Sequence, residues 1–93
     1  MEIKQVNGSE KGYFKAEENN TEAGLMTYVH AGPNKMVIDH TEVSPDFEGQ
    51  GIGKSMVMAA VEFARENNIK ILPLCPFAKS VFNKTPEIAD VLV

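Results

Sequence analysis

The chain changes its hydrophobic period across a glycine-rich bend between residues 35 and 68, and this change limits the possible folds more than any other feature. Lys35 to Val43 reads as the strongest strand of the chain. The segment Ser44-Pro45-Asp46-Phe47-Glu48-Gly49-Gln50-Gly51-Ile52-Gly53 is a loop, and from there to Asn68 the apolar spacing is helical. Ile52, Met56, Ala59, Ala60 and Phe63 fall on one face of a 3.6-residue helix. Val57, Val61 and Ala64 widen that face, and Lys54, Glu62, Arg65 and Glu66 take the wet side. Met56 and Met58 read as helix interior or flank. Ile69 to Leu74 is a short apolar strand interrupted by Pro73, which needs a bulge or an unpaired position there. Strand, crossover helix and strand in this order form a right-handed βαβ unit, so the two strands are expected to be parallel.

The rest of the chain builds outward from that unit. Met1 to Val6, Gly12 to Ala16 and Gly24 to His30 read as strands, with turns at Asn7-Gly8-Ser9 and Ala31-Gly32-Pro33-Asn34. Glu17-Glu18-Asn19-Asn20-Thr21-Glu22 reads as a solvated acidic loop, and His30 as solvent-exposed beside a turn. Short strands with brief polar loops imply an antiparallel meander. Pro76 suits the first position of a second helix reaching about Lys84, with Cys75 in the cap position. Thr85-Pro86-Glu87 caps a last turn carrying Ile88, Val91 and Leu92. The expected fold class is mixed α+β, with antiparallel strands, a right-handed βαβ unit and a C-terminal helix in one domain over residues 1–93.

Composition narrows the function classes. Nine Lys+Arg against thirteen Asp+Glu give a net charge of −4. No basic field draws in nucleic acid or an anionic bilayer, so neither is an expected partner. Cys75 is the only cysteine, which excludes an internal disulfide and a cysteine-based zinc site. The longest apolar run, Met56 to Val61, is far shorter than the ~20 residues of a membrane helix. The N-terminal segment Met1-Glu2-Ile3-Lys4-Gln5-Val6 lacks the pattern of a secretory leader, and a cytoplasmic location is the expectation.

Gly49-x-Gly51-x-Gly53 is the candidate binding element. Glycine allows a ligand to approach the backbone without a Cβ in the way, and a helix start offers free N–H groups and a dipole to an anion. Gln50, Gly51, Ile52 and Gly53 supply amides, and Lys54 and Ser55 add side-chain donors. The plainer reading is a flexible turn into a helix. Two nucleotide motifs fail: position 48 is Glu where a P-loop needs Gly, and the third glycine comes too early for G-x-G-x-x-G.

The arrangement resembles the GNAT superfamily of N-acetyltransferases, whose acetyl-CoA pyrophosphate loop reads Gln/Arg-x-x-Gly-x-Gly/Ala between the fourth strand and the following helix. Glu48, Gly49, Gln50, Gly51, Ile52 and Gly53 occupy those positions. Thr41-Glu42-Val43-Ser44-Pro45 and Ile71-Leu72-Pro73-Leu74-Cys75-Pro76-Phe77 resemble a short single-domain GNAT-like subfamily, over about residues 24 to 86. The resemblance implies acetyl-CoA as co-substrate, no metal, and an unidentified primary amine as acceptor. It implies a pyrophosphate held by amides 49–53, and pantetheine paired with the backbone of Glu42 and Val43 where the fourth and fifth strands splay. Direct attack of the amine on the thioester needs a base, an oxyanion donor and a proton for the leaving thiolate.

The chain departs from that pattern at two positions. Glu48 replaces Gln or Arg, a repulsion of about 1 kcal/mol against a pyrophosphate in high dielectric. Phe82 aligns with the tyrosine commonly used as general acid and has no proton to give. Cys75, His40 and Glu42 are the candidates to fill the gap. Cys75 lies at a helix start beside the expected thioester, where it can protonate the thiolate or accept the acetyl group; a lone cysteine can equally be a small buried hydrophobe. His40 and Glu42 share a strand face with Met36 and Ile38, expected to be partly buried, and either can serve as base. Phe77 and Phe82 are expected to pack the core or pantetheine. An acetyl-CoA-dependent N-acetyltransferase is the first functional reading. A non-catalytic acyl-CoA binder and a protein-interaction domain are the alternatives.

Overall fold

A computed structural model describes residues 1–93, and its architecture is one five-stranded sheet with every helix packed on a single face. The strands β1 (Glu2–Asn7), β2 (Lys11–Glu18), β3 (Thr21–His30) and β4 (Lys35–Val43) form an antiparallel meander. Helix α1 (Ile52–Asn67) crosses over to β5 (Lys70–Pro73), which pairs parallel with β4. Helix α2 (Pro76–Lys84) follows, and then a 3-10 turn over Pro86–Val91. The α+β class, the strand order and the parallel pair agree with the sequence reading.

The acidic connection after β2 is not a loop. Asn19 and Asn20 lie at φ 52° and 64°, so they alone make a two-residue hairpin turn, and Glu17, Glu18, Thr21 and Glu22 belong to the flanking strands. Asparagine tolerates the left-handed region, and turns with both central residues at positive φ match the twist of paired strands. Glu17 is held by Lys4 across the sheet on β1 at 2.9 Å and by Lys15, two residues earlier on its own strand, at 3.2 Å.

The core forms where β2, β3, β4 and β5 face α1. Phe14, Met26, Tyr28, Met36, Ile38 and Ile71 rise from the sheet to meet Met56, Val57, Ala60, Val61 and Ala64. Fully burying one such side chain stabilises the fold by about 1.5–3 kcal/mol. Gly24 seats the first turn of α1: a Cβ there would lie 2.9 Å from Met56 Cε and 3.0 Å from Ile52 Cγ2. That close approach fixes the height at which the glycine-rich bend meets the sheet. At the far end of α1, Asn68 adopts φ 54° and donates its N–H to Ala64 O, closing the helix. Ile88 and Val91 of the last turn are buried, as expected.

Two further clusters tie the periphery down. Tyr28 is buried, and burial raises its phenol above the ordinary value, opposed by the hydrogen bond that Gln5 donates. Its hydroxyl donates to Asn7 Oδ1, which also meets His30 Nε2 at 2.8 Å. His30 is therefore half-buried against Tyr28 rather than solvent-exposed, with the two rings edge-on at 5.5 Å. Arg65 forks onto Asp90 at 3.0 and 2.8 Å and reaches Glu87 O, fixing the C-terminal turn to α1.

These ion pairs set an acid-side pH dependence. The Asp90 carboxyl is held below its usual range by the Arg65 hydrogen bond, and the Glu17 carboxyl by Lys4 and Lys15. Groups lowered on folding contribute stability that is present above the unfolded carboxylate value and is lost as pH falls through the folded one. The urea midpoint is therefore expected to drop between about pH 5 and pH 2, and Arg65→Ala should make that drop shallower. An equal pH dependence in the variant would remove Asp90 as a contributor.

Candidate functional site

The site begins with a parting of strands. Between β4 and β5 the pairing runs from Lys35–Lys70 to Ile38–Pro73 and stops. Pro73 has no N–H to donate, and the next two amides, Leu74 and Cys75, both converge on Ile38 O at 3.0 and 3.1 Å. On the other strand, Thr27 pairs with His40 whereas Tyr28 pairs with Ile38, so Asp39 is an extra residue. This bulge bends β4 away, and Thr27 Oγ1 donates to Asp39 Oδ1 across it at 2.6 Å. Pro73 thus falls at the end of the ladder, as the sequence requires.

The bulge also reverses the phase of β4. Met36 and Ile38 are buried, but past Asp39 the residues turned toward the helices are Thr41 and Val43. His40 and Glu42 are exposed on the opposite face, with Nε2 and Oε1 3.0 Å apart. The expectation that they share the buried face of Met36 and Ile38 is corrected: an added residue shifts a two-residue alternation by one.

The backbone follows the same logic. Ser44 donates its N–H to Ala23 O at 2.8 Å, and the β3–β4 register is unbroken from Val43–Gly24 to His40–Thr27. Antiparallel pairs alternate between bonded and non-bonded, so Glu42 and His40 direct their main-chain groups to β3. Thr41 and Val43 direct theirs to the free edge. Of the two residues expected to offer backbone groups there, Val43 does so, and Thr41 takes the place of Glu42.

The glycine-rich bend closes one end of this gap. Gly49 and Gly51 lie at φ 79° and 74°, in the left-handed region, and nothing lies within 4 Å of where their Cβ atoms would project. Gly51 is the N-cap of α1, with no side-chain cap. The first helical bond is donated by Ser55 to Gly51 O at 3.0 Å. The amides from Gly49 to Lys54 have no acceptor in the protein. Such a run, at the positive end of a 16-residue helix, is a cradle of the kind that suits an anion. Gly53 needs its missing side chain for another reason, since a Cβ would lie 2.4 Å from the Phe77 ring.

The gap and the cradle form one cleft of about 330 Å³. Thr41 and Val43 of β4, Gly49, Gly51 and Gly53 of the bend, and Phe77 of α2 line it, together with Glu48 and Lys54. Glu48 is not part of the free run, because its N–H is directed to Pro45 O at 3.4 Å. Gln50 and Ser55 do not line the cleft. Cys75 caps α2 behind Thr41, 5% exposed, with its Sγ 3.4 Å from Thr41 Oγ1. Phe82 is in the core. No three acidic, histidine or cysteine side chains come together anywhere in the chain.

Thr41 is the polar side chain that the sequence reading missed. A bulge has no sequence pattern of its own, yet the order Asp39-His40-Thr41-Glu42-Val43 carries a hint: the β-branched residues fall on the odd positions after Ile38, out of phase with Met36 and Ile38.

Comparison with known proteins agrees with this architecture. A GCN5-like protein of Staphylococcus aureus with a known solution structure is 43% identical, with a TM-score of 0.72 over 99% of this chain and 87% of that one. A protein of Clostridium acetobutylicum solved with acetyl-CoA is 26% identical, with a TM-score of 0.64 over 80% of this chain and 55% of that one. Protein NATD1 of Xenopus tropicalis is 29% identical over 62 residues, 67% of this chain, and the match spans 57% of that longer protein. The model of the GCN5-related N-acetyltransferase family matches residues 13–91, from β2 through the C-terminal turn, and the chain belongs to that family.

Proposed function

We propose that the protein is an acetyl-CoA-dependent N-acetyltransferase that moves an acetyl group to a primary amine, with residues 1–93 acting as one acyl-CoA-binding domain. The observation that carries this reading is that the unsatisfied amides of Gly49 and of Gly51 to Lys54 and the free edge of β4 open into the same cleft. A diphosphate suits the amides and the Lys54 ammonium, and an amide-bearing pantetheine arm suits the backbone of Val43 and Thr41. The His40–Glu42 pair then stands on the open face of β4 as base, and Cys75 lies on the helix face behind Thr41. A base on one side of the strand and a proton source on the other match an amine that enters from the open face and a thiolate that leaves on the other. Among acceptors the reading covers small-molecule amines and protein amines alike.

Titration of the 15N-labelled protein with acetyl-CoA tests this directly. Amides 49–55 are expected to shift most, and a panel of amines to accelerate CoA release over buffer. Absence of shifts at millimolar acetyl-CoA would refute the site. A second reading, an acyl-CoA binder without turnover, is favoured by Phe82, which is 4% exposed in the core where the family commonly has its acid. Shifts at 49–55 with no CoA release for any amine would select it.

A further inference from the structure

Thr41 reaches the cleft only because the Asp39 bulge turns it there. The Cys75 thiol donates to Thr41 Oγ1 at 3.4 Å. The Thr41 hydroxyl donates to no acceptor within the protein, so its own proton is free to turn into the cleft that Thr41 lines. Cys75 is 5% exposed and does not line the opening. A sulfur lying along the β4 edge therefore meets the Thr41 oxygen before it meets the Cys75 thiol.

We propose that Thr41 is a catalytic residue of the acetyl transfer, passing a proton from Cys75 to the departing thiolate; this rests on the N-acetyltransferase reading above. As the amine nitrogen bonds to the thioester carbonyl carbon, the carbon–sulfur bond breaks and its electron pair goes to sulfur. The Thr41 proton moves to that sulfur while the Cys75 proton moves to the Thr41 oxygen. The hydroxyl ends as it began, and Cys75 is left as a thiolate at the N-cap of α2. Solvent, which receives the amine's proton by way of the His40–Glu42 pair, returns one to Cys75 through the same hydroxyl. An alcohol alone is too weak an acid for this task near neutral pH, and the thiol behind it removes that obstacle. Cys75 acts through Thr41 and is not acetylated.

Steady-state kinetics with acetyl-CoA and an amine that the wild type acetylates test the relay. Thr41→Val is expected to lower kcat about 100-fold with KM for acetyl-CoA unchanged. Thr41→Ser keeps the hydroxyl and should restore kcat, a rescue that a merely structural role would not give. Cys75→Ala should fall as far as Thr41→Val, and the double variant no further, because both remove one pathway. Wild-type kcat in Thr41→Val, a Thr41→Ser as impaired as Thr41→Val, or an acetylated Cys75 in the intact-protein mass spectrum of any Thr41 variant overturns the relay while leaving the acetyltransferase reading intact. A wild type that binds acetyl-CoA but acetylates no amine overturns both.

Discussion

Gly51→Val is expected to weaken acetyl-CoA binding at least about 100-fold, roughly 2.7 kcal/mol. Gly51 is the N-cap of α1 at φ 74°, where a β-branched residue is strained by about 1–2 kcal/mol. Its side chain would also project into space that nothing in the protein fills, beside the amides offered to the diphosphate. Gly32→Val is the control. Gly32 has φ 94° and equally open surroundings, but it sits in the β3–β4 turn at the other end of β4. Both variants should melt at a similarly lowered temperature, whereas only Gly51→Val should lose affinity by calorimetry. Equal affinities in the two would show that the bend is a turn and nothing more.

Gly12→Ala should destabilise the protein by about 3 kcal/mol, the upper end of the usual cost of overpacking. At this chain length that lowers the melting temperature by roughly 12–24 °C. The added Cβ would lie 2.5 Å from Val6 O and 2.6 Å from the Tyr28 hydroxyl. The first is a backbone atom of the paired strand β1, so it cannot swing aside as a side-chain end can. The second is the centre of the Gln5–Tyr28–Asn7 hydrogen-bond chain, whose atoms become unsatisfied if Tyr28 is displaced. Gly49→Ala, with nothing within 4 Å, should cost only its left-handed strain of about 1 kcal/mol. If the two melt alike, close approach is not what glycine provides at position 12.

These two glycines show how unevenly a sequence speaks. The stripe from Ile52 to Phe63, the strand from Lys35 to Val43 and the turn after Val6 were legible because local spacing and local burial agree. The Asn19–Asn20 turn was obscured by the acidic residues around it, which mark solvent exposure but do not forbid strand pairing when Lys4 from β1 and Lys15 beside it on β2 neutralise Glu17. Gly12 reads as a strand start, and the phenol that presses on it comes from β3, a partner chosen by tertiary structure.

The candidate site divides along the same line. Residues 49–53 announce a bend that frees main-chain donors at a helix start, because glycine content and helical period are local properties. Which side chains face the cleft was decided by one added residue at Asp39, which moved His40 and Glu42 to the open face and brought Thr41 to Cys75. Linear order fixes the alternation within a strand, whereas the phase of that alternation depends on hydrogen bonds to β3 and on where the ladder to β5 ends. Those are long-range pairings, and only the folded sheet sets them.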